Sequence, residues 1–180
     1  SRSPGGGAGV TALGRPNAGF AGDRGEPDAV VRALIAAASD VTGYARAVAA
    51  LCGSRLLLPI AEDPEAHLSA VMVQSGSGES GLPVFTGLDS LRAWNPTARP
   101  VPCTLDDVAA TAVETGCTAI LIDVAGPIGL VIDAGLIAEL AAGRRLVELD
   151  DGGFGWLFRR DDPPSHQHPG GGEVSAPVLA

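Results

Sequence analysis

Twice in this chain a short apolar run leads straight into Thr-x-x-Asp and then into a helical apolar period. The first is LPVF followed by Thr86-Gly87-Leu88-Asp89; the second is VPC followed by Thr104-Leu105-Asp106-Asp107. A Thr at a helix start accepts from an amide of the first turn, and an acid three residues on can reach back to the Thr amide. Each stretch therefore predicts a strand, a cap and a helix in that order. The first helix carries Leu88, Leu91 and Trp94 and stops at Asn95-Pro96; the second carries Leu105, Val108, Ala109, Ala112 and Val113 and ends at Gly116. TAILIDV follows as a buried strand, Gly126-Pro127 as a turn and IGLVI as another strand. Asp133 then caps a last helix through Leu136, Ile137 and Leu140. Strands alternating with helices predict βαβ-like crossovers beside an antiparallel hairpin. The expected class is α+β, with a mixed sheet of about five to six strands packed with helices.

Upstream, Val30, Val31, Leu34, Ile35 and Ala38 keep a helical period, with Pro27 placed for the first turn. Ser39-Asp40 can cap a second helix with Val41, Tyr44, Ala45, Val48 and Leu51 on one face, ended by Gly53. SRLLLPI reads as a buried strand, AEDPEA as an acidic turn, and HLSAVMV from His67 as the next strand. This bounds an α+β domain over residues 27–148. Residues 1–26 are rich in Gly and Pro without an apolar period, and read as a flexible arm. Residues 149–180 have loop composition apart from FGWLF, and read as a largely disordered tail.

The chain is long enough, at 180 residues and 46% apolar, for one domain with a real core. Aromatics are only 4%, so that core is built from Ala, Val, Leu and Ile. The formal charge is −9, from 12 Arg and 21 acids with no Lys at all. Neutralising phosphates takes clustered cations, so nucleic acid and anionic membranes are not expected partners. Three cysteines, Cys52, Cys103 and Cys117, lie far apart with no metal or redox spacing, as expected of buried reduced thiols in a cytoplasmic protein. The most apolar window, from Cys117, holds Asp123, Gly126-Pro127, Asp133 and Glu139, which does not suit a membrane span.

Two nucleotide-like patterns fail on inspection. Gly76-Ser77-Gly78-Glu79-Ser80-Gly81 matches G-x-G-x-x-G, but that motif requires its third glycine to open a helix whose amides hold a pyrophosphate. Gly81 runs instead into LPVF, which prefers an extended backbone, and Glu79 would set a carboxylate in the phosphate position. The stretch reads as a loop between two strands. Gly14 to Gly19 mimics a P-loop, but Phe20 and Ala21 replace its Lys and its hydroxyl. No cofactor is expected.

Catalytic sets are equally incomplete. Asp106-Asp107 are explained by the helix start. His67 has no second His nearby, and His166 and His168 share a tail without the four ligands of a zinc site. Ser80 lacks the second glycine of a nucleophile elbow. Asp123, at the end of an apolar strand, can serve the turn before Gly126-Pro127 or a functional pocket. Phe85 and Trp94 suit a core, or, if exposed, a recognition surface.

LPVFTGLDSLRAWNP with ILIDVAGPIGLVI resembles the N-terminal domain of the SseB family, named for enhanced serine sensitivity. The matching positions are Pro83, Phe85, Thr86, Leu91, Trp94, Asp123, Gly126 and Pro127. ALCGSRLLLPI is similar to the family's first strand and its preceding helix, and Phe20-Ala21-Gly22-Asp23 to the arm of actinobacterial members. The resemblance covers roughly residues 40–142. It implies an α+β domain and supplies no catalytic residues. The expectation is a non-enzymatic binding or regulatory module with a protein partner, whose contact residues are Phe85, Arg92, Trp94, Asp123, Gly126, Pro127 and Trp156. The alternative is a small-molecule sensor or enzyme with a pocket near Asp123.

Overall fold

The computed structural model describes residues 18–62, 68–126 and 128–158. Two helices come first. In α1 (Ala29–Ala36) the Asp28 side chain accepts from the Val30 and Val31 amides; Pro27 therefore sits before the cap, two positions ahead of the first helical residue rather than in the first turn. In α2 (Val41–Cys52) Asp40 caps Gly43, as expected. The apolar faces of both helices, Val31 and Ile35 with Ala45, Val48 and Leu51, enter the main core.

The strand β1 (Leu56–Glu62) pairs antiparallel with β2 (Leu68–Ala70) on one side and with β5 (Arg99–Cys103) on the other. A second sheet has the order β3-β4-β6-β7, from Val73–Gln74, Ser80–Val84, Ala119–Ile122 and Leu130–Asp133. The two sheets touch where Leu57 and Phe85 exchange main-chain hydrogen bonds of 2.8 and 2.9 Å. Helices α3 (Leu88–Trp94) and α4 (Leu105–Thr115) flank β5, and α5 (Ala134–Ala141) follows β7. The class is α+β, as expected, but the strands divide among separate sheets rather than forming one. The parallel pair is β4 with β6, and its connection runs through α3, β5 and α4. The expected crossover from β4 to β5 does not form, because β5 finds its partner in β1.

The stretch from Ser75 to Glu79 is a tight connection between antiparallel β3 and β4, closed by Ser75 N–H to Glu79 O at 2.8 Å. Gly81 and LPV form strand β4 instead of opening a helix. That settles the G-x-G-x-x-G match as a hairpin loop.

At both ends the chain runs beyond 27–148. Arg55 ion-pairs with Asp23 and donates to Glu26 O and Thr86 O, so residues 23–26 are held against the domain. Gly25, at φ 74, lets its main chain approach Leu88 so closely that a Cβ would clash at 2.4 Å. At the other end β8 (Arg145–Glu148) and β9 (Phe154–Leu157) form an antiparallel hairpin. Trp156 and Phe154 pack half-buried on the main core, so FGWL is a strand set against it, with Phe158 exposed beyond its end. Residues 1–17 of the arm and 159–180 of the tail lie outside the described residues.

Candidate functional site

Asp123 follows directly on β6 and is 5% exposed. A carboxylate taken from water needs strong donors around it. Three are present: the Thr86 amide at 3.0 Å, the Thr86 hydroxyl at 2.6 Å and the Ser90 hydroxyl at 2.7 Å. The Asp123 main chain is fixed as well, its N–H donating to Val84 O and its C=O accepting from Gly126 N–H. This turn places Asp123 at φ 50, and it is the one non-glycine residue with positive φ among the described residues. Asp tolerates the left-handed region better than most residues, at a small cost.

This arrangement corrects the expected cap at Thr86. Helix α3 begins one residue later, with Gly87 as its N-cap and no side-chain cap bond. The Thr86 hydroxyl donates across the sheet to Asp123 and accepts from Arg32 Nε at 2.9 Å. The second signature behaves as expected: Thr104 accepts from the Asp107 amide, and Asp107 reaches back to the Thr104 amide.

Arg32, from α1, ties the network together. Its guanidinium holds both oxygens of Asp89 at 2.6 Å and reaches Ser90 Oγ at 3.3 Å. The hydrogen bond to Asp89 raises the Arg32 pKa against the opposing effect of burial, with the charges of Asp89 and Asp123 adding to it. The same bond lowers the Asp89 carboxyl below its ordinary range. Arg32, Asp89, Ser90 and Asp123 floor a half-open cleft of about 290 Å³. Ile35, Ala93, Ala125 and Ile128 line the rest of it, and Ile128 is 47% exposed.

The expected contact residues distribute unevenly around this cleft. Asp123 and Gly126 line it. Phe85 is fully buried and forms a small second core with Leu57 and Leu91. Its ring stacks on half-buried Trp94 at 5.4 Å and 35°, so Phe85 supports Trp94 from beneath. Arg92 is exposed on α3 with no ion pair among the described residues. Pro127 lies outside the described residues. Trp156 belongs to the β8–β9 hairpin, opposite Leu146.

Sequence reasoning missed Arg32, Ser90, Ile35 and Ile128. A signal existed for the first: an Arg directly after buried Val31, on a helix with few other charges, has to find a partner across a packed boundary.

All three cysteines are buried and free. Burial pushes the Cys103 thiol up to about 12 and raises Cys52 as well. Among the described residues no group of three or more His, Cys, Asp and Glu could hold a metal ion. No described helix is long and apolar enough to cross a membrane. His67, His166 and His168 lie outside the described residues.

Fold and site together define a small α+β domain in which three packed elements build a half-open cleft with apolar walls over a hydrogen-bonded polar floor. The chain belongs to the SseB family: the family model described as SseB protein N-terminal domain matches residues 30–139. Comparison with curated proteins and with solved structures returned no match.

Proposed function

We propose that the domain is a binding module without catalysis, and that the cleft over Asp123 receives an apolar side chain of a protein partner. One observation carries this reading. Every charged group of the cleft floor is already engaged by another: Arg32 by Asp89, Asp123 by Thr86 and Ser90. A general base or nucleophile acts on substrate from a group that its neighbours leave free, whereas each carboxylate here is held by donors of the chain itself. The walls of the cleft are apolar, with Ile35, Ala93 and Ile128 framing space for one or two side chains. A cleft of this size lies at the lower edge of small-ligand pockets, which span roughly 300–1,000 Å³. Exposed Arg92 and half-buried Trp94, on the same helix as Ala93, suit the rim of such a contact.

The acidic charge favours a partner that is neutral or basic and disfavours nucleic acid and anionic membranes. Three buried free thiols fit a reducing, cytoplasmic setting.

The test is paired affinity capture from the native cytosol with the parent protein and with Ile128→Asp. The substitution is on the exposed rim and should leave the melting temperature nearly unchanged. A partner retained by the parent and lost by the variant supports the reading. Equal capture by both, or a saturable metabolite turnover abolished by Asp123→Asn, would overturn it.

A further inference from the structure

Asp123 sets a carboxylate at the cleft that no cation of the described residues touches. It is 5% exposed, and its three donors, the Thr86 amide and the Thr86 and Ser90 hydroxyls, are all neutral. Aspartate is seldom buried this far without a charged partner. Among the described residues Asp123 forms no ion pair. Arg32 reaches only the two hydroxyls, Thr86 Oγ1 at 2.9 Å and Ser90 Oγ at 3.3 Å, while Asp89 holds both its terminal nitrogens at 2.6 Å. Arg55, the other cation beside Thr86, donates to its carbonyl and pairs with Asp23.

The lining of the cleft is therefore unbalanced. Its charged residues are one cation, Arg32, and two carboxylates, Asp89 and Asp123, so one negative charge is left over. An acceptor position is left over as well. A carboxylate offers about four lone-pair sites. Asp123 Oδ1 accepts from the Thr86 amide and from Ser90, and Oδ2 accepts from the Thr86 hydroxyl alone. One site on Oδ2 has no donor among the described residues.

We propose that the side chain received by this cleft is a lysine of the partner protein. The inference rests on the reading of the cleft as a docking site and narrows what enters it. The four-carbon stem of the lysine lies along Ile35, Ala93, Ala125 and Ile128, and its ammonium donates to Asp123. A side chain apolar to its tip would take water from Asp123 without returning a donor. An anionic one would meet the surplus negative charge.

Two observations choose lysine and its source. A guanidinium fork is best met by two carboxylate oxygens together, and at Asp89 that position is already filled by Arg32. The single acceptor that remains suits a compact ammonium with rotatable donors. The chain itself, with 12 Arg, contains no lysine, so neither its own termini nor a second copy can supply one. The occupant comes from a different protein.

Amide NMR of the full chain tests this with three end-blocked pentapeptides, Gly-Gly-X-Gly-Gly, in which X is lysine, norleucine or arginine. Norleucine keeps the four-carbon stem and lacks the ammonium. The lysine peptide should shift the Ala93, Ala125 and Ile128 amides saturably. It should bind about tenfold more tightly than the norleucine peptide, which is what one charged hydrogen bond is worth. The Asp89→Asn variant folds, because this side chain is 59% exposed, and it frees Arg32 to turn to Asp123. In it the advantage of lysine over norleucine should disappear. Norleucine bound as tightly as lysine would leave the cleft a docking site and overturn the lysine anchor. Arginine bound as tightly as lysine, or a lysine advantage unchanged in Asp89→Asn, would overturn it too. No shift at these amides with any peptide would remove both readings.

Discussion

Thr86 and Thr104 occupy the same place in the same four-letter signature, yet they do different work. Thr104 closes a capping box within its own helix, exchanging bonds with Asp107. Thr86 turns away from its helix to Asp123, 37 residues on, and to Arg32. The difference lies in the surroundings of the acid at the fourth position. Asp107 has its Thr as a bonded neighbour, whereas Asp89 is held by both arms of Arg32 and cannot reach back. Sequence proposes a cap; a buried carboxylate nearby offers the hydroxyl a stronger acceptor and wins it. A local motif thus becomes the floor of a cleft.

The contrast can be broken by mutation, most severely at the acceptor. Asp123→Asn fits the left-handed backbone but presents an amide NH2 where hydroxyl and amide donors converge. It should cost on the order of 2–3 kcal/mol in urea unfolding, as for an unsatisfied buried donor. Thr86→Ala should cost about 2 kcal/mol, because the buried hydroxyl serves two partners. Thr104→Ala should cost only about 1 kcal/mol, the usual value of a cap, and Thr104→Ser should recover most of it. Equal losses at the two threonines would mean that Thr86 is no more than a cap.

A weaker perturbation is acid. Arg32 holds the folded-state pKa of Asp89 below its unfolded value. The stabilisation is therefore present above the unfolded pKa and lost as pH falls through the folded one, in the acid range below about pH 4. The Asp89 side chain is 59% exposed, so solvent screening holds the effect under about 1 kcal/mol. Stability measured against pH should fall less steeply there in Asp89→Asn than in the parent; identical profiles would remove Arg32–Asp89 from the account.

The smallest effect belongs to the loop that matched a nucleotide motif. Residues Gly76 to Glu79 bond among themselves and their immediate neighbours. Replacing them with a Gly/Ser linker of equal length that keeps Gly78, at φ 90, should shift stability by less than about 0.5 kcal/mol. A large loss would show that the loop makes contacts the hairpin does not require.

These cases mark what could be read in the sequence. Asp40, Asp133 and Thr104 were legible as caps because each acts on an amide within three residues. The strands and helices were legible because their apolar periods survive in a core poor in aromatics. Strand partners were not: VPC carries no sign that it will join β1 and leave the parallel pair to β4 and β6. Nor was the cleft. Its polar floor joins residues 57 apart in Arg32 and Asp89, and nothing local announces such a contact. Asp123 was found because a charge closing an apolar strand has few places to go. The sequence leaves Phe85 two readings, core or recognition surface, because an aromatic before a helix looks the same in both; the core reading holds.

The central claim is that Thr86 belongs to Asp123 and not to its own helix. A double-mutant cycle on unfolding free energy decides it, pairing Asp123→Asn with Thr86→Ala and, in parallel, with Thr104→Ala. Residues in one hydrogen-bond network couple, and distant ones add. The account predicts a coupling of about 1 kcal/mol or more for Thr86 with Asp123 and none beyond error for Thr104 with Asp123. Additivity in both cycles, or equal coupling in both, would contradict it.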